Sequence, residues 1–285
     1  MLYKHGIINK IWLMDPSFGA NYLPLVVSYI KGSTPFQPAE RSLSDDLLFA
    51  VSADGSFEIS EYGYDIPPED APAGSIAILN ITGAITKHDQ SCGPSGMVTK
   101  SKLLTRCYAN KNIKGIVLKI DSGGGSGDAM RLFNETVSER NKPVIAFIDD
   151  NACSAAYGIA SGCDIVVANS NTAYVGSIGT YISIADYTEY FKKEGISIIE
   201  VYATASKEKN IEVREALKGN VEPVRKLADK FNEMFLSMVE TNRKDQLKTD
   251  RSSWGTGKLY YADEAKEIGL IDAIDKFSNI LNYFV

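Results

Sequence analysis

Two apolar strands, each breaking into a run of very small residues, constrain this chain more than any other feature. Ile116 to Ile120 runs into Gly123-Gly124-Gly125, and Val144 to Ile148 runs into Ala152-Cys153-Ser154-Ala155-Ala156-Tyr157-Gly158. Short continuous apolar runs bounded by glycine read as buried strands. Two such strand-to-loop junctions would place backbone N–H donors beside one exposed serine, which is the layout of a covalent hydrolase. The stretch 115–180 therefore organises the rest of the chain.

Around it, strands and helices alternate. Ser75 to Ile81 reads as a strand, followed by a loop over 87–96 and a helix carrying Leu103, Leu104 and Cys107. A helix from about Gly127 to Arg140 buries Met130, Leu132, Phe133 and Val137, and a strand follows the serine elbow at Asp164 to Val167. A helix over Ile184 to Glu194 and a strand over Ile198 to Tyr202 come next. This order predicts a largely parallel sheet with right-handed crossovers. Asn220 to Lys244 is one long amphipathic helix whose stripe includes Val224, Leu227, Phe231, Phe235 and Val239. A stripe of that spacing lies on a core, and it can also serve a subunit contact. The chain closes with LYYADEAKEIGLIDAID.

Residues 1–74 read as an N-terminal extension, partly irregular, and 75–285 as the main domain. The extension holds the apolar piece Ile11 to Met14, a turn at Asp15-Pro16 and a helix over Asn21 to Lys31. From Ser33 to Gly74 it is rich in Pro, Ser, Asp and Glu.

Charge and composition exclude several function classes. A net charge of −6 leaves no stripe of Lys/Arg to replace counterions along phosphates, so no nucleic-acid partner is expected. Cys92, Cys107, Cys153 and Cys163 form no CxxC pair and only His5 and His88 could join them, so the cysteines read as buried and reduced rather than as zinc ligands. No metal or cofactor is expected. No apolar run approaches the roughly 18 residues of a membrane helix, and the N-terminus lacks the apolar core and cleavage site of a signal peptide. A cytoplasmic protein is the resulting expectation.

Ser154 carries two readings of equal weight: a nucleophile, or the N-cap of the helix that follows. A nucleophilic serine needs a base, yet no histidine follows His88, which sits in a polar loop. A lysine can serve when burial disfavours its charged form. Lys207, in ATASKEKN, is the best-placed candidate and Lys209 the runner-up; each also reads as a solvated loop lysine. The glycine loop lacks the Gly-Lys-Ser/Thr or GxGxxG spacing of a phosphate cradle. Glycines here instead let a peptide approach the backbone, so that the N–H groups of Gly124 and Ala155 could stabilise an oxyanion.

These motifs, in this order, resemble the serine/lysine peptidases that include signal peptide peptidase A (protease IV) and the head-maturation peptidases of tailed phages. KIDSGGGSG resembles that family's IDSPGG stretch, and CSAAYGIASGCD its nucleophile motif, which implies Ser154 as the nucleophile. YVGSIGTYI resembles GSIGV and gives Ser177 the role of hydrogen-bonding the catalytic lysine. ATASKEKN resembles AGxxKD and places the base on Lys207, and the closing segment resembles the family's last motif. Gly123 stands where the family has proline, and Glu208 where it has aspartate.

The resemblance implies an α/β fold of the ClpP/crotonase superfold, with repeated strand-helix units, a long C-terminal helix and homo-oligomeric assembly. It also implies a protein or peptide substrate. The CSAAY motif and the N-terminal extension favour a phage prohead protease that processes scaffold or capsid proteins, acting in the host cytoplasm or the prohead. A soluble protease degrading signal peptides is the alternative. Gly123, Gly125 and Ile178 are expected to line the substrate groove, which should favour small or apolar residues before the scissile bond. Two further alternatives keep the superfold without this chemistry: a crotonase-type acyl-CoA enzyme and an inactive shell protein.

Overall fold

The computed structural model describes residues 12–14, 45–53, 56–59, 66–90 and 93–284. The expected helix over 21–31, the Asp15-Pro16 turn, His5 and Cys92 lie outside the described residues.

The described chain opens with three strands: β1 (Trp12–Met14), β2 (Leu47–Ala53) and β3 (Ser56–Ile59). Then come β4 (Ser75–Thr82), α1 (Met97–Ala109), β5 (Ile113–Ser122), β6 (Gly124–Ser126) and α2 (Gly127–Ser138). The serine region is β7 (Val144–Cys153), α3 (Ala155–Ser161), β8 (Ile165–Ala168) and β9 (Tyr174–Gly176). Beyond it lie α4 (Thr188–Lys193), α5 (Ile211–Ala216), α6 (Glu222–Asn242) and α7 (Arg251–Trp254). The chain ends with β10 (Leu259–Tyr261), α8 (Ala262–Ile268), β11 (Ala273–Ile274) and α9 (Phe277–Ile280).

One nine-stranded sheet carries the domain, in the order β10-β9-β7-β5-β4-β2-β3, with β8 also on β7 and β11 on β8. The centre, β4-β5-β7, is parallel, as the strand-helix alternation predicts. Its side chains alternate between two apolar faces, the period-two consequence of the pleat. Leu118, Ile120, Ala146 and Ile148 face the main core under α1, α2 and α3. Val117, Ile145 and Phe147 face a smaller core closed by Ile280 and Leu281 near the C-terminus. Burial on both faces explains why these strands read as continuous apolar runs. The result is the α/β architecture of repeated strand-helix units expected from the ClpP/crotonase superfold.

Some expectations differ from the structure. Leu47–Ala53 belongs to a stretch read as irregular, yet it pairs antiparallel with β4, Leu47 opposite Leu79 and Ala50 opposite Ile76. Leu47, Phe49 and Ala50 are buried there. Ile198–Tyr202 is not a strand: it pairs with no strand among the described residues, and Ile198, Ile199 and Val201 are 64%, 84% and 89% exposed. The expected helix over 184–194 is shortened to α4, because Asp186 accepts a hydrogen bond from the Thr188 N–H at 2.9 Å and starts the helix there. Leu132 is only half-buried. On α6 the stripe divides: Phe235 and Val239 enter the main core, whereas Val224, Leu227 and Phe231 are only half-buried and Val221, just before the helix, is exposed.

Candidate active site

The sheet forks at the end of β7. Its first half pairs with β8, and Asn151, Ala152 and Cys153 pair in parallel with Tyr174, Val175 and Gly176 of β9. The chain then turns sharply at Ser154, with φ 56° and ψ −121°, and enters α3. A non-glycine residue at positive φ carries strain and persists only where its surroundings hold it. Here the Ser154 N–H donates to Gly176 O at 2.7 Å, and Ser154 O accepts the first helical bond, from Gly158 N–H at 2.9 Å. Ser154 occupies the N-cap position and is buried rather than exposed as expected, yet its side chain makes no capping hydrogen bond. Of the two sequence readings of this serine, the cap is therefore unused.

Ser177 follows Gly176 directly, so the parallel register of β7 and β9 brings the two serines side by side. It too is at positive φ, 50°, and its N–H donates to Lys258 O at 2.8 Å. Gly176, φ 114°, admits no side chain, because a Cβ would come within 2.8 Å of Lys258 O and 3.0 Å of the Tyr260 ring.

What holds the elbow lies mostly beneath it. A Cβ at Gly158 would overlap Met130 Sδ, so glycine lets α3 sit against α2. Asn134 Nδ2 donates to Gly158 O at 2.5 Å. Tyr157, fully buried, donates from its hydroxyl to Leu270 O at 2.8 Å, and burial pushes its phenol pKa up. Next to it, Arg243 at the end of α6 makes a two-pronged pair with Asp272, at 2.9 and 2.8 Å, and also reaches Gly269 O at 3.1 Å. Asp272 in turn accepts from Val166 N–H at 2.7 Å. The Arg243–Asp272 pair thus fastens the closing segment and α6 beneath α3. Sequence reading noticed the GLID stretch but not its arginine, because a partner 29 positions away leaves no local pattern.

The glycine loop lies beside the elbow, with Ser122 opposite Ala152 in the β5–β7 register. Gly123, Gly124 and Gly125 are all buried, and Gly124 has φ 102°. The Gly124 N–H, expected as an oxyanion donor, donates to Ser122 Oγ at 3.1 Å, and Ser122 donates to Gly83 O at 2.5 Å. Ala155 is the first residue of α3, where an N–H has no acceptor within the helix. Ile178, expected to line a substrate groove, is 0% exposed and packs in the main core.

Lys207 lies elsewhere. It follows a short 3-10 turn, Thr204–Ser206, and is exposed, as is Lys209. Its carbonyl accepts from Arg214 at 2.5 Å, which ties the loop to α5. Among the described residues, no hydrogen bond joins Ser154 to either lysine, and none of residues 181–221 is buried. The single chain therefore assembles the two serines and the glycine loop and leaves both candidate bases in solvent.

Cys107, Cys153 and Cys163 are buried and form no disulfide among the described residues. Among the described residues no cluster of His, Cys, Asp or Glu could hold a metal ion, and no helix is long and apolar enough to cross a membrane.

Residues 136–284, just over half of the chain, match the family described as Peptidase family S49. The chain belongs to this family. The matched range contains Ser154, Ser177 and Lys207; the glycine loop lies before it. Among the relatives of this S49 chain, Protease 4 of Haemophilus influenzae is 25% identical over 279 residues, covering 89% of this chain and 44% of that protein. Capsid assembly protease C of Escherichia phage lambda is 26% identical over 287 residues, covering 93% of this chain and 61% of that one. The chain thus spans less than two thirds of either relative. Of the solved structures, a serine-to-alanine mutant of the 1510-N membrane-bound stomatin-specific protease aligns over 73% of this chain and 82% of its own, at 16% identity and a TM-score of 0.48.

Proposed function

We propose that this S49 chain is a serine endopeptidase in which Ser154 is the nucleophile and Lys207 the base. One observation carries the reading: Ser154 is held at positive φ on a strand-to-helix turn, with its hydroxyl released from capping and Ser177 beside it. Such a turn projects a nucleophile at the top of a sheet. In the reaction, Ser154 Oγ attacks the scissile carbonyl while neutral Lys207 Nζ takes its proton. Ser177 orients the amine, and the protonated lysine then returns the proton to the leaving amide nitrogen. Ala155 and Gly124 N–H groups would stabilise the tetrahedral oxyanion, Gly124 once its bond to Ser122 is released; losing one such donor costs about 3–4 kcal/mol of transition-state stabilisation.

Lys207 has to be covered to act as a base at moderate pH, because desolvation is what lowers a lysine pKa. The segment 181–221 that bears it exposes Ile196, Ile198, Ile199 and Val201. Burying side chains of this kind yields about 1.5–3 kcal/mol each. Closure of this segment, within a homo-oligomer, would supply both the driving force and the desolvation.

The substrate is a protein or peptide. We place the chain with phage-type peptidases that process scaffold or capsid proteins, supported by the CSAAY motif and by the coverage of nearly the whole chain by the lambda capsid assembly protease. The test is labelling with a fluorophosphonate probe beside Ser154→Ala and Lys207→Ala. The wild type should label and both variants should not. Full labelling of Ser154→Ala would overturn the assignment, and an unreactive wild type would favour an acyl-CoA enzyme or a shell protein.

A further inference from the structure

Strand β6 has two edges, and the structure fills both. On one, Ile85 N–H donates to Gly124 O at 2.9 Å and Ser126 N–H donates to Ile85 O at 2.8 Å. Backbone groups alternate sides along a strand, so those of Gly125 face the opposite edge. There the chain's own β1 lies antiparallel, with Met14 opposite Gly124, Leu13 opposite Gly125 and Trp12 opposite Ser126. The two form a sheet of their own, apart from the main one. Glycine at 125 makes the crowding possible: a Cβ there would overlap Ile85 O.

The position of this pairing matters. Under the proposed peptidase mechanism, the scissile carbonyl has to lie at Gly124, and the residues before it run out along the loop. An antiparallel peptide in that place would set its last residue before the scissile bond opposite Gly124, and the preceding two opposite Gly125 and Ser126. Met14, Leu13 and Trp12 occupy those rows in that order and direction. Pairing through the main chain makes few demands on sequence, so one strand can substitute for another on such an edge.

We infer that the Gly124–Ser126 edge is a peptide-strand binding site whose resident occupant is the chain's own Trp12–Met14 segment, seated in substrate register. Substrate binds by displacing it. The apparent affinity for any peptide is then reduced by the fraction of molecules in which the edge is open. A three-residue strand is short enough to leave. This inference rests on the peptidase reading for its register, but binding to the edge can be measured without turnover.

The experiment uses the full chain carrying Ser154→Ala, so that no peptide is consumed. The probe is a fluorescein-labelled peptide, KIWLMDP, which copies residues 10–16. Adding Leu13→Pro removes the N–H opposite Gly125, and proline is excluded from a paired strand. The peptide should bind this variant about tenfold more tightly than the Leu13 parent, as measured by anisotropy. The Gly125 amide should exchange its hydrogen faster in the variant and regain protection when peptide is added. On the parent chain, a peptide N-methylated at its leucine should bind about tenfold more weakly than the unmodified one, a comparison that does not depend on the variant folding. Equal affinity for parent and Leu13→Pro with unchanged Gly125 exchange would overturn the inference, as would equal binding of the two peptides. None of these readouts uses catalysis, so a chain inert to fluorophosphonate that still shows them would refute the peptidase assignment and leave the strand site standing.

Discussion

Replacing Ser154 by glycine should stabilise the fold relative to replacing it by alanine, the reverse of the usual order. At an ordinary position glycine is worse than alanine by about 0.5–1 kcal/mol, because the unfolded chain has more freedom to lose. Ser154 is not ordinary: at φ 56° and ψ −121° any Cβ is strained. A residue held in such a region costs roughly 1–3 kcal/mol. Glycine removes that cost and adds back its entropic penalty, so Ser154→Gly should exceed Ser154→Ala by up to about 2.5 kcal/mol, with a central value of about 1 kcal/mol. The comparison is clean because the hydroxyl caps nothing and is absent from both variants. Urea unfolding, with midpoints compared at constant m-value, reads the difference directly. Ser177, at φ 50°, should show the same order. If the glycine variant proves equal to or less stable than the alanine variant at 154, the elbow is not strained, and the structural case for a nucleophile there fails. Both variants should be catalytically dead, so the stability gained would mark what the fold gives up to present this serine.

Lys207→Ala should abolish peptide turnover while leaving the urea midpoint within about 0.5 kcal/mol of wild type, as expected for an exposed side chain; Lys209→Ala should leave both nearly unchanged. Arg243→Ala should cost about 3–5 kcal/mol, because it leaves Asp272 unpaired against the core, whereas Arg243→Met with Asp272→Leu should recover most of that in thermal or urea unfolding. Burial pushes the Cys107 thiol up to about 12, so between its unfolded value near 8.5 and that pH the native state holds a proton that the unfolded state has lost. Stability must therefore fall as pH rises through this window, by about 2 kcal/mol at pH 10 from this group alone. That part of the loss should vanish in Cys107→Ala, followed by urea unfolding from pH 7 to 10. Gly158→Ala should destabilise by roughly 1–3 kcal/mol, because its methyl would overlap Met130 and push α3 off α2.

Sequence reading succeeded where one strand or helix carries its own pattern, and failed where a structure depends on a distant partner. The β4-β5-β7 centre was legible because burial on both faces leaves an unbroken apolar run. The elbow was legible because small residues must follow a strand that turns so tightly. Leu47–Ala53 was not, since a short strand inside a Pro- and Ser-rich stretch declares itself only through its pairing with β4. The same holds for Trp12–Met14, three residues whose importance comes from the loop they lie against. Ile198–Tyr202 failed in the opposite direction: it has the composition of a strand and, among the described residues, pairs with none. Apolar, β-branched residues left this exposed carry a free-energy cost that folding of one chain does not recover. They lie in the same unburied segment as Lys207, the proposed base, whose chemistry would require burial. Under the proposed mechanism, closure of segment 181–221 over an apolar surface would answer both.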